Sequence, residues 1–228
     1  MAPKLVLFDI DGTLIDPGRV GRISATRAFH ELFSIEDAFF GIEMAGKTDI
    51  QIIKEALSTH GMSSGDGIIP DILKAYIRIL KEEANSSRMS VKPGVIDLLN
   101  YLKDGNSFNL GLLTGNIETG GRTKLAVFDL NKYFPFGAFG NDSEDRNSLL
   151  PVAVEKFKGM TNIEISFDSC IVIGDTPRDV ACARPFGAVS VAVATGPFSY
   201  DELLKTGADH VLRDLSGARL LKLFSSQF

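Results

Sequence analysis

The chain has 228 residues, 44% of them hydrophobic, and a formal net charge of -5. That is enough apolar material for a full core, as one large domain or two modest ones, and the acidic balance argues weakly against nonspecific nucleic-acid binding, which needs a basic face. No apolar stretch approaches the ~18 residues of a membrane span. The opening MAPKLVLFDI carries one basic residue and too short an apolar run for a signal peptide.

The first element is the most informative. In KLVLFDIDGTL (4–14), the apolar run Leu5, Val6, Leu7 and Phe8 ends in two carboxylates, Asp9 and Asp11, followed by Gly12 and Thr13. Such a run bounded by a turn reads as a buried strand. Two aspartates at its carboxyl end, with a glycine that lets the backbone fold back, make a small anionic pocket. The pocket suits a hard divalent cation with oxygen ligands, Mg2+ being the usual occupant beside a phosphate. It also sets a carboxylate nucleophile next to a carboxyl that can move protons.

From 19 to 88 the pattern turns helical. GRISATRAFHELF places Ile23, Ala25, Ala28, Phe29, Leu32 and Phe33 on one stripe, TDIQIIKEALSTHG stops at Gly61, and PDILKAYIRILKEEA begins with Pro70 in its first turn. These stripes read as ordinary core. From Val91 onward strand and helix alternate. Strands are expected at 109–113, 137–139, 169–173, 189–194 and 209–212, and helices at 96–104, 118–128, 147–158, 177–184, 200–206 and 214–225. The alternation predicts an α/β fold with a mostly parallel sheet covered by helices on both faces. Residues 1–16 and 91–228 then form one domain, with 17–90 inserted as a second, helical one. DPG (16–18) and VKPGV (91–95) are the outgoing and returning hinges.

Two later strand ends carry chemistry. LGLLTGN (110–116) delivers Thr114, Gly115 and Asn116, a hydroxyl and backbone N–H groups opening a turn into a helix, suited to a phosphate or, equally, to a plain capped turn. IVIGDTPRD (171–179) delivers Asp175 and, one helical turn along, Asp179. Two such acids repel unless a positive group lies beside them, and a metal ion is the economical one. Cys170 and Cys182 lack a CxxC spacing and are expected as free core thiols, and His30, His60 and His210 share no ligand spacing.

DIDGTL resembles the first signature, DxDG[TV], of the haloacid dehalogenase superfamily of phosphohydrolases. LLTGN resembles its second signature, and GDTPRD followed by ACARPFGA its fourth. The third, usually a Lys in a KPxP context, departs from pattern here. In RNSLLPVAVEKF the best-placed basic residue is Arg146, while Lys156 and Lys158 sit well down the helix. Arg is a permissible substitute, always charged and able to grip phosphate with two donors. The resemblance spans essentially the whole chain. It implies a Rossmann-like core with a helical cap of the phosphoglycolate phosphatase and β-phosphoglucomutase type.

Carried over, the resemblance makes Asp9 the nucleophile that forms an aspartyl-phosphate. Asp11 becomes the acid that protonates the leaving alcohol and then the base that activates water. Asp9, the Asp11 backbone carbonyl and Asp175 would hold Mg2+, with Asp179 in support. Thr114, the N–H of Gly115 or Asn116, and Arg146 would hold the phosphate oxygens. In the cap, AGKTD (45–49) opens a helix with Gly46, Lys47 and Thr48, whose N-terminus either faces an anionic substrate or is simply capped at the surface.

The expected activity is therefore that of a Mg2+-dependent, cytoplasmic phosphatase of small phosphorylated metabolites, with no nucleic-acid or membrane partner. A 2-haloacid dehalogenase lacks the second acid that Asp11 supplies. A sugar phosphomutase uses the same residues, although Thr13, where mutases often carry Val, favours a phosphatase. A phosphonatase needs a Schiff-base lysine such as Lys47 or Lys54. A non-catalytic relative is expected to have lost one of Asp9, Asp11 and Asp175, all present here. Phosphoglycolate, sugar phosphates and nucleotides all fit as substrates.

Overall fold

The computed structural model describes residues 4–65, 67–86, 88–105, 107–217 and 224. From the amino end come β1 (Lys4–Phe8), the short β2 (Ile15–Asp16), three helices α1 (Val20–Phe33), α2 (Asp49–Thr59) and α3 (Ile68–Ser86), and the short β3 (Ser90–Val91). The chain then alternates through α4 (Val95–Asp104), β4 (Phe108–Leu113), α5 (Glu118–Ala126), β5 (Gly137–Ala138), α6 (Leu149–Thr161), β6 (Cys170–Gly174), α7 (Pro177–Ala183), β7 (Val189–Val193), α8 (Tyr200–Leu204) and β8 (His210–Leu212).

Six strands form one parallel sheet in the order β5-β4-β1-β6-β7-β8. β1 is central because its residues are apolar on both faces. Val6 and Phe8 join one core with Leu98, Leu99 and Leu102 of α4. Leu5 and Leu7 join the opposite core with Leu149, Leu150, Ala153 and Phe157 of α6. This is the two-residue alternation of a strand covered on both sides.

The helices α1–α3 enclose a core of their own, containing Ala28, Phe29, Ile53, Leu57, Ile72 and Leu80, to which Ile117 from the sheet layer adds its side chain. The chain enters and leaves this helical layer through a ribbon that the sequence did not suggest. β2 pairs antiparallel with β3, Ile15 opposite Val91 and Asp16 opposite Ser90, and Lys92 Nζ reaches Asp16 at 3.3 Å. Of the helix expected at 214–225, residues 214–217 are not helical. Positions 218–223 and 225 lie outside the described residues. No helix among the described residues is long and apolar enough to cross a membrane.

Candidate active site

In an open parallel sheet, side chains converge beyond the carboxyl ends of the strands, at the point where strand order reverses. Here that point is β1, flanked by β4 and β6. Asp9 follows β1 directly, its N–H donating to Ile173 O at 2.9 Å. Thr114 and Asp175 follow the two neighbouring strands. Gly12 turns the chain at φ +86°, and a Cβ there would fall 2.3 Å from Asp175 Oδ2, so the turn needs glycine for its backbone angle and for close approach. Thr13 Oγ1 donates to Asp175 Oδ1 at 3.1 Å.

Arg146 sits in a 3-10 turn ahead of α6 and is 4% exposed. Its guanidinium lies 3.1 Å from Asp9 Oδ1, pairs with Asp179 Oδ1, and donates to Gly46 O at 3.3 Å. The positive group between the acids is thus, in part, a guanidinium. Asp179 is doubly employed, because its other oxygen accepts from Thr176 N at 2.9 Å and Thr176 Oγ1 at 2.7 Å, closing the capping box of α7. Lys156, the alternative cation, is turned away onto Asp142 at 2.6 Å, and Lys158 pairs with Glu164.

Burial pushes the Asp9 carboxyl up to about 6, against the pull of Arg146 and with the help of Asp179 and Asp11. Burial also raises Asp175 well above the usual carboxylate range, with Asp9 and Asp179 adding to the effect. Burial opposes the charge on Arg146, but Asp179 and Asp9 outweigh it and raise its pKa. Asp9, Asp175 and Asp179 present oxygens within 4.8 Å of one another. Three buried carboxylates facing one guanidinium leave a surplus of negative charge. An all-oxygen donor set with that surplus fits a hard divalent cation.

Thr114 Oγ1 accepts from Asn116 N at 3.3 Å and Asn116 Nδ2 at 3.0 Å, and its hydroxyl lies near enough to Asp9 to draw that carboxyl's pKa down. The N–H groups of Gly115 and Asn116 lie at the turn beyond β4, that of Asn116 engaged with Thr114 Oγ1. Asn116 Nδ2 donates on to Asp11 Oδ2 at 3.0 Å. Asp11 holds a second oxygen, Oδ1, buried without a partner.

Residues 45–49 lie against this machinery. A Cβ at Gly115 would stand 2.1 Å from Lys47 O. Asp49 N–H donates to Gly115 O at 2.8 Å, and Asp49 Oδ2 accepts the Ile117 N–H at 2.8 Å. Gly46 and Lys47 line the cavity above Asp9, whereas Thr48 does not. The Thr48 hydroxyl instead caps α2 and donates to Glu144 O at 3.0 Å. Lys47 is held by Glu55 and Lys54 by Glu144, so neither offers the unengaged amine of a phosphonatase. Cys170 and Cys182 are buried free thiols, pushed up by burial to about 12 and about 11, which makes them unsuited to nucleophilic work.

Three site residues escaped the sequence reading. Lys124 of α5, 3% exposed, donates to Asp11 Oδ2 at 2.5 Å and Asn116 Oδ1 at 2.7 Å. The available signal was its place among Gly120, Gly121 and Leu125 on the buried stripe of the helix. Asp49 and Tyr76 face the same cavity. Burial raises Asp49 to about 6, with Lys124 and the Ile117 N–H opposing, and raises Tyr76 well above its ordinary value.

A parallel α/β sheet that gathers acids, a buried guanidinium and a hydroxyl turn at its carboxyl edge defines an enzyme built to act on an anionic group. Residues 6–193 match the family model described as haloacid dehalogenase-like hydrolase, and the chain belongs to that family. It is 26% identical over 219 residues to a phosphoglycolate phosphatase of Rhodospirillum rubrum, covering 94% of this chain and 88% of that one. It is 24% identical over 210 residues to a putative pyrophosphatase PpaX of Caldanaerobacter subterraneus, covering 92% and 90%. A hydrolase from Pseudomonas syringae shares the fold at a TM-score of 0.72, with 23% identity and coverage of 98% and 97%.

Proposed function

We propose that the protein is a Mg2+-dependent phosphatase of small phosphate monoesters. One observation carries this reading: Asp9, buried at the end of β1, faces a guanidinium on one side and two further buried carboxylates on the other. A carboxylate attacking an anionic phosphoryl group is repelled unless cations neutralise both. The likeness to a phosphoglycolate phosphatase and a putative pyrophosphatase supports the same class of reaction.

Asp9 attacks phosphorus and forms an aspartyl-phosphate as the bond to the ester oxygen breaks. Asp11 gives its proton to the departing alkoxide, then takes one from the water that cleaves the aspartyl-phosphate, restoring Asp9 and releasing phosphate. Thr114, the N–H groups of Gly115 and Asn116, and Arg146 hold the non-bridging oxygens. Asp9, Asp175 and the Asp11 backbone carbonyl, with Asp179 behind, would hold Mg2+, which when bound would supply neutralising charge to the phosphoryl oxygens. Residues 17–90 act as a cap over a core of 1–16 and 91–228, excluding water from the reaction. Buried free thiols are in keeping with a cytoplasmic setting.

The test is phosphate release from a panel of monoesters, with Mg2+ and with chelator, for wild type and Asp9→Asn. Release that needs Mg2+ and vanishes in the variant is expected. Release that survives both treatments would sink the reading.

A further inference from the structure

The loop that follows β7 carries none of the sequence signatures, yet two successive residues of it, Thr195 and Gly196, border the same cavity as Asp9 and Asp175. Thr195 Oγ1 donates to Gly12 O at 2.6 Å, across 183 positions of the chain. Gly196 meets the carboxylate beside that turn. A Cβ there would stand 1.6 Å from Asp175 Oδ2, and the three atoms nearest to it all belong to Asp175. Gly196 is not among the glycines with positive φ, so its backbone angle would accept a side chain. Close approach of Asp175 is what demands glycine at this position. Asp175 Oδ2 is thus closed in by two bare Cα atoms, Gly12 from one strand loop and Gly196 from another, while Oδ1 accepts the Thr13 hydroxyl at 3.1 Å.

The bond from Thr195 completes the fixing of the turn after β1. The peptide that carries the Asp11 carbonyl is held through its N–H, Gly12 N donating to Ile15 O at 2.8 Å. The Thr13–Leu14 peptide is held in the same way, Leu14 N donating to Ile10 O at 2.9 Å. Between them lies the Gly12–Thr13 peptide, and its carbonyl is held from outside the turn, by Thr195. Glycine leaves the backbone free to rotate on either side of it, so this bond limits how the Asp11 carbonyl and the Thr13 hydroxyl can turn relative to each other. Ile15 opens β2, through which the chain enters the helical layer, so a displacement of that layer pulls on the same turn.

We infer that Thr195 and Gly196 form a clamp that holds the Asp11 carbonyl and the Asp175 carboxylate at the spacing a divalent cation needs, which makes Thr195 a positioning residue for the metal. The inference rests on the Mg2+-dependent phosphatase reading and adds to it a determinant of metal affinity. Mg2+ demands near-ideal geometry from its oxygen ligands. Groups that orient such ligands from behind typically carry about 10–100-fold of metal affinity.

The test titrates Mg2+ into wild type, Thr195→Val, Thr195→Ser and Gly196→Ala and follows the rise in melting temperature, which reads binding without turnover. Phosphate release from p-nitrophenyl phosphate is followed over the same titration. Thr195→Val keeps the branched shape and loses the donor, so its Mg2+ midpoint should rise about tenfold or more in both readouts. Thr195→Ser keeps the hydroxyl and should bring the midpoint back toward wild type, a recovery that packing alone would not give. Gly196→Ala should move the midpoint at least as far as Thr195→Val, because its methyl displaces Asp175 itself; should it fail to fold, the two Thr195 variants still decide. A Thr195→Val midpoint equal to that of wild type would overturn the inference, as would a lower melting temperature in chelator with the midpoint unmoved, the mark of a purely structural bond. A wild type whose melting temperature and phosphate release both ignore Mg2+ would overturn it together with the Mg2+-dependent phosphatase reading.

Discussion

Lys124 Nζ lies 2.5 Å from Asp11 Oδ2, joining a helix in the middle of the chain to the second acid of the first strand loop. Lys124 is also bound to Asn116 Oδ1, so one ammonium fixes both the proton-handling carboxylate and the amide beside the phosphate turn. Lys124→Met removes this anchor, strips Asn116 Oδ1 of its donor and leaves Asp11 Oδ2 with the Asn116 amide alone, a cost of about 1–3 kcal/mol for the buried unsatisfied oxygen. Turnover on an alkyl phosphate should fall at least about tenfold, and further than on p-nitrophenyl phosphate, whose leaving group needs little protonation. Equal losses on both esters would mean that Lys124 does not act through Asp11. Lys124→Arg keeps the charge and should recover part of the difference.

Arg146 neutralises Asp9 and Asp179 from a position 4% exposed. Removing one partner of such a cluster strands the others, typically at about 3–5 kcal/mol. For a chain of this size that corresponds to a melting point lower by about 6–20 °C. Arg146→Ala should show this loss by thermal unfolding in chelator, with a raised KM and reduced turnover. Mg2+ should recover part of the stability, because it supplies charge to the same carboxylates. An unchanged melting point would remove the guanidinium from its neutralising role.

The strand-end motifs were legible because each combines a local pattern with a chemical demand. DIDGTL, LLTGN and GDTPRD announce both an apolar strand and a polar turn. Asp9, Asp11, Thr114 and Asp175 accordingly stand where their spacing placed them. The resemblance to the third signature pointed to Arg146 as the best-placed basic residue, and its guanidinium lies 3.1 Å from Asp9 Oδ1. Lys124, Asp49 and Tyr76 were not found because their partners are distant in sequence: Lys124 bonds across 113 positions and Asp49 across 68. Thr48 takes the capping alternative that the sequence left open, its hydroxyl engaged by the cap of α2 and by Glu144 O. The β2–β3 ribbon was missed because two-residue strands carry no periodicity.

Gly115 permits the contact between the helical layer and the phosphate turn. Its missing Cβ makes room for Lys47 O, which would otherwise stand 2.1 Å away. Gly115→Ala should push residues 45–49 off the turn and weaken the bond from Asp49 N–H to Gly115 O. Limited proteolysis should then cut the segment between α1 and α2 faster than in wild type, and KM should rise. Wild-type cleavage rates and kinetics would show that the segment docks without this contact.

Asp49 also makes a pH prediction. Its carboxyl is raised by burial from 3.8 to about 6 in the folded protein. A raised acid binds its proton more tightly folded than unfolded, so its contribution to stability is fully present below about 3.8 and is lost as pH rises through about 6. Asp9 and Asp175 act in the same direction when no metal is bound. In chelator, unfolding free energy should therefore decline between pH 4 and pH 7, measured by urea denaturation with the slope m held as a check on two-state behaviour. Asp49→Asn cannot titrate yet keeps an oxygen for the Ile117 N–H, so its decline should be shallower. Parallel curves for the two proteins would place the Asp49 carboxyl in water, where it would titrate alike folded and unfolded.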